Sequence, residues 1–424
     1  MGEQRAATNL NGRRREGDTA NPAAGRHGWS RPWLRAAALA AVVGLTSLAE
    51  AAAQEELYVS NEIGDAITVY VRDANGDVKP LRTISGDKTG LSAPGALAVD
   101  TIHNEIVVVN EGGSSDVGGS VTVYRRTDDG NVAPLRTISG DQTGLAGPEG
   151  LALDTVHNEI VVANSQSITV YRRTDDGNAA PLRTISGDKT GLDDADGVAV
   201  DTVNDELVVA NAGGSVLVYR RTDDGNVAPL RTLSGPATGL VDPERVAVDT
   251  IHNEFVVVNE TDSSVVVHNR TANGDEPPLR KIKGAATGLN LPEGLALDLV
   301  HNEIFVAEAG DSQSVLVFSR TANNDALPLR TLKGGMTGLN EPVAVALSLS
   351  ESGLPVGPAG CSDGVDNDGD GLIDCRDPDC RATAACAAHV PTLGSAGLAL
   401  AVLALVVVAA TGFLKRRRIA MSRA

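Results

Sequence analysis

The residues whose types and spacing could do chemistry are carboxylates, and they fall into two sets. The first lies near the C-terminal end, in CSDGVDNDGDGLIDCRDPDC, residues 361–380. Asp366, Asp368 and Asp370 stand at the first, third and fifth positions of a loop, and Gly371 at the sixth permits a sharp turn. Carboxylates at that alternation converge on one hard cation, which makes this a calcium loop. Leu372 would give its backbone carbonyl, and Asp374 and Asp377 fall at the ninth and twelfth positions. The twelfth is Asp, shorter than the usual Glu, and no flanking helices are evident, so this is no conventional EF-hand. The alternative is an acidic, flexible stalk without metal. The second set is dispersed: Glu149, Asp196, Glu244 and Glu293 each precede an apolar segment of a recurring unit, and Gly95 and Val343 hold the same place in two other units. Carboxylates gathered at one point repel unless a cation, protons or water relieve them, and an oxygen-rich ring of this kind suits calcium; the alternative is solvated loop carboxylates inherited with the repeat.

The elements that would position the second set are repeats. The unit is clearest at Pro148–Asn164, PEGLALDTVHNEIVVAN. Its second apolar segment returns at Leu57–Asn61, Ile106–Asn110, Ile160–Asn164, Leu207–Asn211, Phe255–Asn259 and Ile304–Glu308, at spacings of about 47–54 residues. A repeat of this length with four short strands is the signature of a propeller blade. Gly150–Asp154 reads as the innermost strand a, Glu159–Asn164 as strand b, Ser167–Arg172 as strand c and Pro181–Ser186 as the outer strand d. The turn DDGN at 175–178 carries Gly177 for a positive φ. The first copy begins at strand b and the last stops after strand a, Val343–Ser348. An orphan inner strand at one end can join b, c and d at the other, which predicts an all-β, six-bladed propeller closed by a clasp of both ends. An open solenoid would leave those incomplete ends exposed.

The runs PEGLALD, NEIVVAN and SITVY resemble the NHL-type repeat and the blades of lactonase-like propellers of the gluconolactonase and regucalcin group, over about residues 55–350. The resemblance implies the propeller fold. It also implies metal ligands just before Gly-Leu, which carries over to Glu149, Asp196, Glu244 and Glu293. Two blades depart from that pattern, and Arg245 follows Glu244 where glycine is usual. The strand-b ends Asn61, Asn110, Asn164, Asn211, Asn259 and Glu308 are expected nearby. The C-terminal loop resembles thrombospondin type 3 and dockerin-like loops.

Four histidines, His103, His157, His252 and His301, recur in the a–b turns, with Asn204 in the fourth copy. These turns lie on the other face and off the axis, so each histidine is expected to bond its own hairpin and not to share a metal. No nucleophilic Ser or Cys motif is present. All four cysteines, Cys361, Cys375, Cys380 and Cys386, fall in or just after the calcium stretch. They suit two disulfides in an oxidising compartment, with three pairings open, or else a zinc site.

The ends of the chain read as addresses. Residues 1–53 carry Arg13–Arg15, Arg26, Arg31 and Arg35, an apolar core at Ala36–Leu48 and three alanines before Gln54. This is the plan of an export signal, with an uncleaved N-terminal anchor as the alternative. Residues 349–360 are a Ser-, Gly- and Pro-containing linker, 361–386 the stalk and 387–424 the tail. Ala396–Leu414 is an apolar run of about 19 residues, roughly 28 Å as a helix, enough to span a bilayer. Lys415–Arg418 follow it, and basic residues stay cytoplasmic. Val390–Leu393 before this helix resembles an IPTL-type bacterial sorting signal, which implies a sorting protease and a surface destination; a permanent single-span anchor is the alternative.

Net charge is −19, which argues against a nucleic-acid partner. Aromatic residues are 3% of the chain, and Trp29 and Trp33 both fall in the leader, so aromatic sugar platforms are not expected. The reading is an exported, envelope-tethered binding or display scaffold that takes an unidentified protein or small molecule on its channel face, with calcium in the stalk. A calcium-dependent lactonase or esterase and a structural surface-layer component are the alternatives.

Overall fold

The computed structural model describes residues 55–112 and 119–349. The calcium loop, the four cysteines, the leader and the apolar tail lie outside the described residues. Within them are 24 strands in six four-stranded antiparallel sheets, and no helix is long and apolar enough to cross a membrane.

Each sheet is one blade. The first pairs the last strand, Pro342–Ser348, with Glu56–Asn61, followed by Ala66–Val71 and Arg82–Ser85. The expected clasp is therefore present: Leu57 faces Leu347 and Val59 faces Val345 across the seam. The inner strands, Pro94–Asp100, Pro148–Asp154, Ala195–Asp201, Pro243–Asp249, Pro292–Asp298 and Pro342–Ser348, neighbour one another in a closed ring. Numbered from the clasp, these strands belong to blades 2, 3, 4, 5, 6 and 1.

Strand b of every blade is buried along its whole length. It lies between two blades, so both its faces are covered, and the middle of its sequence is largely apolar and rich in β-branched residues, as in EIVVVN. Six apolar clusters result, one at each junction between blades. The one at the closing junction joins Leu57, Val59 and Val345 of blade 1 to Phe305, Val315 and Val317 of blade 6. Each fully buried side chain of this size contributes about 1.5–3 kcal/mol, which is what holds a clasp that no covalent bond closes.

Two boundaries differ from the sequence reading: strand a of blade 3 is Pro148–Asp154, beginning two residues before Gly150. Strand d of blade 3 is Arg183–Ser186, and Pro181 stands outside it, since proline has no N–H for the ladder. The turn before that strand also does more than reverse the chain. Gly177 forms a parallel bridge to Ile138 of the preceding blade, and five equivalent bridges complete the circle. Asn178 caps the same junction, accepting from the Gln142 N–H and donating to Asp141.

The face where strands a end carries a repeated ion-pair lattice. Glu159 is gripped by Arg183 of its own strand d at 2.9 and 2.7 Å and by Arg221 of the next blade at 3.0 Å. Glu105, Glu206 and Glu254 are held in the same way. At the closing junction Arg72 of blade 1 reaches Asp298 at 2.6 Å and Glu303 at 2.9 Å in blade 6. The hydrogen bonds from Arg183 and the charge of Arg221 hold the Glu159 carboxyl below its usual range. The a–b turn histidines sit here, each with Nδ1 2.8–2.9 Å from the aspartate three residues before it. Asn204 makes the same contact through its amide to Asp201. As expected, each serves its own hairpin.

Candidate functional site: the carboxylate mouth of the channel

The opposite face is built differently. Strand a of every blade contains a bulge. In blade 3, Pro148 pairs with Asn164 and Gly150 with Ala163, so Glu149 is the extra residue. Asp196, Glu244, Glu293 and Val343 are extra in the same way, and in blade 2 the bulge takes in Gly95 and Ala96. A bulge re-aims the side chain it carries, so the register itself turns these residues out of the ladder. The residue two before each of them has positive φ: Ala93, Gly147, Asp194, Asp242, Leu291 and Glu341, at 46–61°. A left-handed residue in all six blades, five of them not glycine, is the local strain that marks a shaped loop.

The strand-b asparagines hold these loops in place. Asn164 Oδ1 accepts from the Ala146 N–H at 3.1 Å while its amide donates to Thr169 at 3.1 Å. Asn61, Asn110, Asn211 and Asn259 accept in the same way from Asn340, Ser92, Asp193 and Val241. They are buried with their polar atoms committed, so they are loop anchors and not the mouth oxygens that the sequence suggested. In blade 6 the anchor is Glu308, which accepts from the Asn290 N–H through one oxygen while the other has no partner.

The mouth gathers more carboxylates than the strand-a positions alone. Glu62, Glu111 and Glu260, each next after a strand-b asparagine, join Glu149, Asp196, Glu244 and Glu293. Every blade thus contributes. Where strand a offers Val343 or Gly95, the b–c loop of that blade supplies Glu62 or Glu111. The recurring Asn-Glu at 61–62, 110–111 and 259–260 was the signal for them, passed over because the reading stopped at the strand end.

Burial, reinforced by neighbouring carboxylates, raises Glu111 to about 7, Glu244 to about 7 and Glu293 to about 8. Glu62 and Glu260 rise for the same reasons. Asp196 is pushed well up by burial, by the neighbouring Glu149 carboxyl and by the charge of Glu244. Oxygens of Glu149, Asp194 and Asp196 lie within 4.8 Å of one another, the grouping among the described residues in which one cation could find three ligands. Asp194 had no signal of its own; the left-handed turn brings it in. Glu244 and Glu293 follow farther round the ring.

Arg245 is the cation of this mouth. It occupies the third residue of strand a, where the other blades have Ala96, Gly150, Gly197, Gly294 and Ala344. Its Nη1 donates to the backbone oxygens of Asp196 at 2.8 Å and Glu244 at 3.1 Å, and lies 3.6 Å from the Glu244 carboxylate. Its charge opposes the rise of Glu62, Glu111, Asp196, Glu244 and Glu293. Those groups come from blades 1, 2, 4, 5 and 6, which places the guanidinium centrally.

The fold and this mouth define a six-bladed β-propeller with an acidic channel entrance. No protein-family model and no curated protein matches the chain. Solved structures do. A chain of a nidogen/laminin complex superposes with a TM-score of 0.50 at 14% identity, over 70% of this chain and 99% of that one. A protein of unknown function from Bacteroides caccae gives 0.51 at 11% identity, with the same coverage of 70% and 99%. A periplasmic gluconolactonase of Pseudomonas aeruginosa is 21% identical over 63% of this chain and 79% of that one, with a TM-score of 0.47. The likeness is one of fold.

Proposed function

We propose that this protein is an exported, envelope-tethered binding scaffold whose recognition surface is the channel mouth, and that the ligand it takes there carries positive charge. One observation carries the reading: every blade sends a carboxyl group to one entrance, and among the described residues a single guanidinium is set there to neutralise them. Several of these carboxyls lie half-charged near neutral pH, so an arriving cation is favoured both by direct attraction and by release of bound protons. The leader, the apolar tail and the basic cluster support export and tethering. The aspartate loop at residues 366–377 supports a calcium-stiffened stalk between propeller and envelope.

Calorimetry with hexalysine as the probe tests the mouth. Binding that weakens steeply with salt and disappears in the Glu149→Gln, Glu244→Gln double variant is the expected result. Binding indifferent to both sinks the reading.

A second reading, a calcium-dependent lactonase or esterase, draws on the Glu149, Asp194 and Asp196 grouping. A divalent ion held there would supply Lewis-acid polarisation of a carbonyl. Calcium-dependent gluconolactone hydrolysis lost in Glu149→Gln is its expected signature.

A further inference from the structure

We propose that Arg245 stands in for a metal ion: its guanidinium fills the place a calcium would share among Glu149, Asp196, Glu244 and Glu293, leaving the native mouth free of divalent metal and open to organic cations. This rests on the mouth being the recognition surface, and it names the class of ligand admitted there.

The packing shows how the place was made. At this position of strand a, the neighbouring blade's backbone leaves little room for a side chain. A Cβ on Gly150 would meet the Asp196 carbonyl oxygen at 2.6 Å, and one on Gly197 would meet the Glu244 oxygen at 2.5 Å and the Arg245 Cα at 2.8 Å. A Cβ on Gly294 would meet the Ala344 Cα at 2.8 Å in the same way, so the close approach is general to the ring, and Arg245 departs from it by carrying a long side chain at this position. From there the side chain reaches back towards blade 4 and uses two backbone carbonyls, those of Asp196 and Glu244. Carbonyl oxygens beside carboxylates are what a calcium ion coordinates, and here they are already occupied by a donor that cannot deprotonate or leave.

Two further details agree. The Arg245 Nε is buried without an acceptor, and the guanidinium's hydrogen bonds run from Nη1 to the two carbonyls. Glu244, another candidate ligand, already has its carboxylate 3.6 Å from the Arg245 Nη1. A calcium ion entering beside Arg245 would meet a fixed positive charge at close range. An ammonium or guanidinium group, singly charged and able to donate several hydrogen bonds to the outer carboxylates Glu62, Glu111 and Glu260, avoids that approach.

The test is calcium uptake by the full chain after equilibrium dialysis, since the stalk has its own expected metal. Arg245→Gly, the residue found in blades 3, 4 and 6, should hold one calcium per chain more than the native protein. Its affinity should lie around 0.1–1 mM, the range of extracellular modules. That extra ion should vanish when Glu149→Gln is added, and it should compete with hexalysine, which the variant binds more tightly than the native chain without calcium. Arg245→Gln, neutral and too short to bring a donor to the place of Nη1, should show the same gain. A native protein whose calcium content drops on Glu149→Gln overturns the proposal, and so does a folded Arg245 variant with no added calcium. Failure of both variants to fold, with or without calcium, overturns it too, because the guanidinium would then be filling a packing role no ion can take. Hexalysine ignoring the native mouth would sink the recognition reading alone; the extra calcium in Arg245→Gly would still stand.

Discussion

Glu308→Gln should stabilise the propeller in alkali and not in acid. Five blades anchor the loop before strand a with asparagine, whose oxygen accepts a backbone N–H while its amide donates to a hydroxyl, as Asn259 does to Ser264 at 3.0 Å. Glu308 can imitate this only when protonated. It is fully buried, one oxygen accepts from Asn290 and the other has no partner. Burial therefore raises its carboxyl to about 8, the Asn290 N–H pulling back against the rise. The folded pKa is above the unfolded one, so the folded state keeps the proton longer. The stabilising proton is fully in place below about pH 4.5 and is lost as pH climbs through about 8. At roughly 1.4 kcal/mol per unit, the cost at about pH 8 is at most about 4 kcal/mol relative to acid. Relaxation and water entry reduce such penalties, so about 1–3 kcal/mol is expected. Glutamine keeps the acceptor and places a neutral donor near Ser314. Thermal unfolding followed from about pH 5 to about pH 8.5 should show a gain of roughly 2–6 °C at the alkaline end that shrinks towards zero in acid. A gain independent of pH, or a loss at the alkaline end, would refute the reasoning.

The remaining predictions concern other departures from the repeat. His268 sits where four blades have a tyrosine whose hydroxyl donates to a threonine carbonyl, as Tyr171 does to Thr143 at 2.6 Å; burial lowers its ring to about 4, with the Thr238 backbone opposing that shift. Since its folded pKa is depressed below the unfolded value, stability is lost as pH falls from about 6.5 to about 4, and His268→Tyr should flatten that acid limb by about 1–3 kcal/mol in denaturant titrations; an unchanged acid limb counts against it. Arg72→Ala leaves Asp298 and Glu303 short of a partner at the ring closure and should cost about 3–5 kcal/mol. Arg172→Ala, exposed and 3.9 Å from Asp175, should cost less than about 1 kcal/mol; equal losses would mean that the closing pair is not special. Chelation should open residues 361–386 to protease, and identical cleavage with and without chelator would remove the calcium stalk.

The blade count, the strand order and the clasp were legible because they follow from periodicity. An apolar run every 50 residues or so, with the first and last copies complementary, leaves little choice of closure. The strand-a carboxylates were legible for the same reason. What stayed hidden depends on register and three-dimensional crossing. A bulge at Glu149 leaves no mark on the hydrophobic pattern. Asp194 enters through a positive φ, and Gly177 looks like a turn residue until the neighbouring blade is seen beside it. The Arg–Glu lattice was hidden too, since Glu105 and Arg173 are partners 68 residues apart, and Arg136 or Arg183 alone looks like an edge-strand charge.

A ring of six equal blades asks nothing of any one blade beyond what the repeat supplies, so function is to be sought where a blade departs from the rest. Some departures are compensated. In blade 1 the buried aspartate at the end of strand a is replaced by Ser348, and Arg126, which would have faced it, donates instead to Ser348 and to the Tyr58 hydroxyl. That exchange preserves the junction and implies no further role. Val343 and Gly95 are also compensated, but across elements: Glu62 and Glu111 restore from the b–c loops the carboxyl that strand a lacks. Packing gives no reason for that substitution, because a half-buried carboxylate beside others costs stability. The quantity maintained around the ring is negative charge at the entrance, whichever strand or loop provides it. Arg245 fits the same logic from the other side, as a fixed positive charge set beside these carboxylates, with its Nη1 on the Asp196 and Glu244 carbonyls and 3.6 Å from the Glu244 carboxylate.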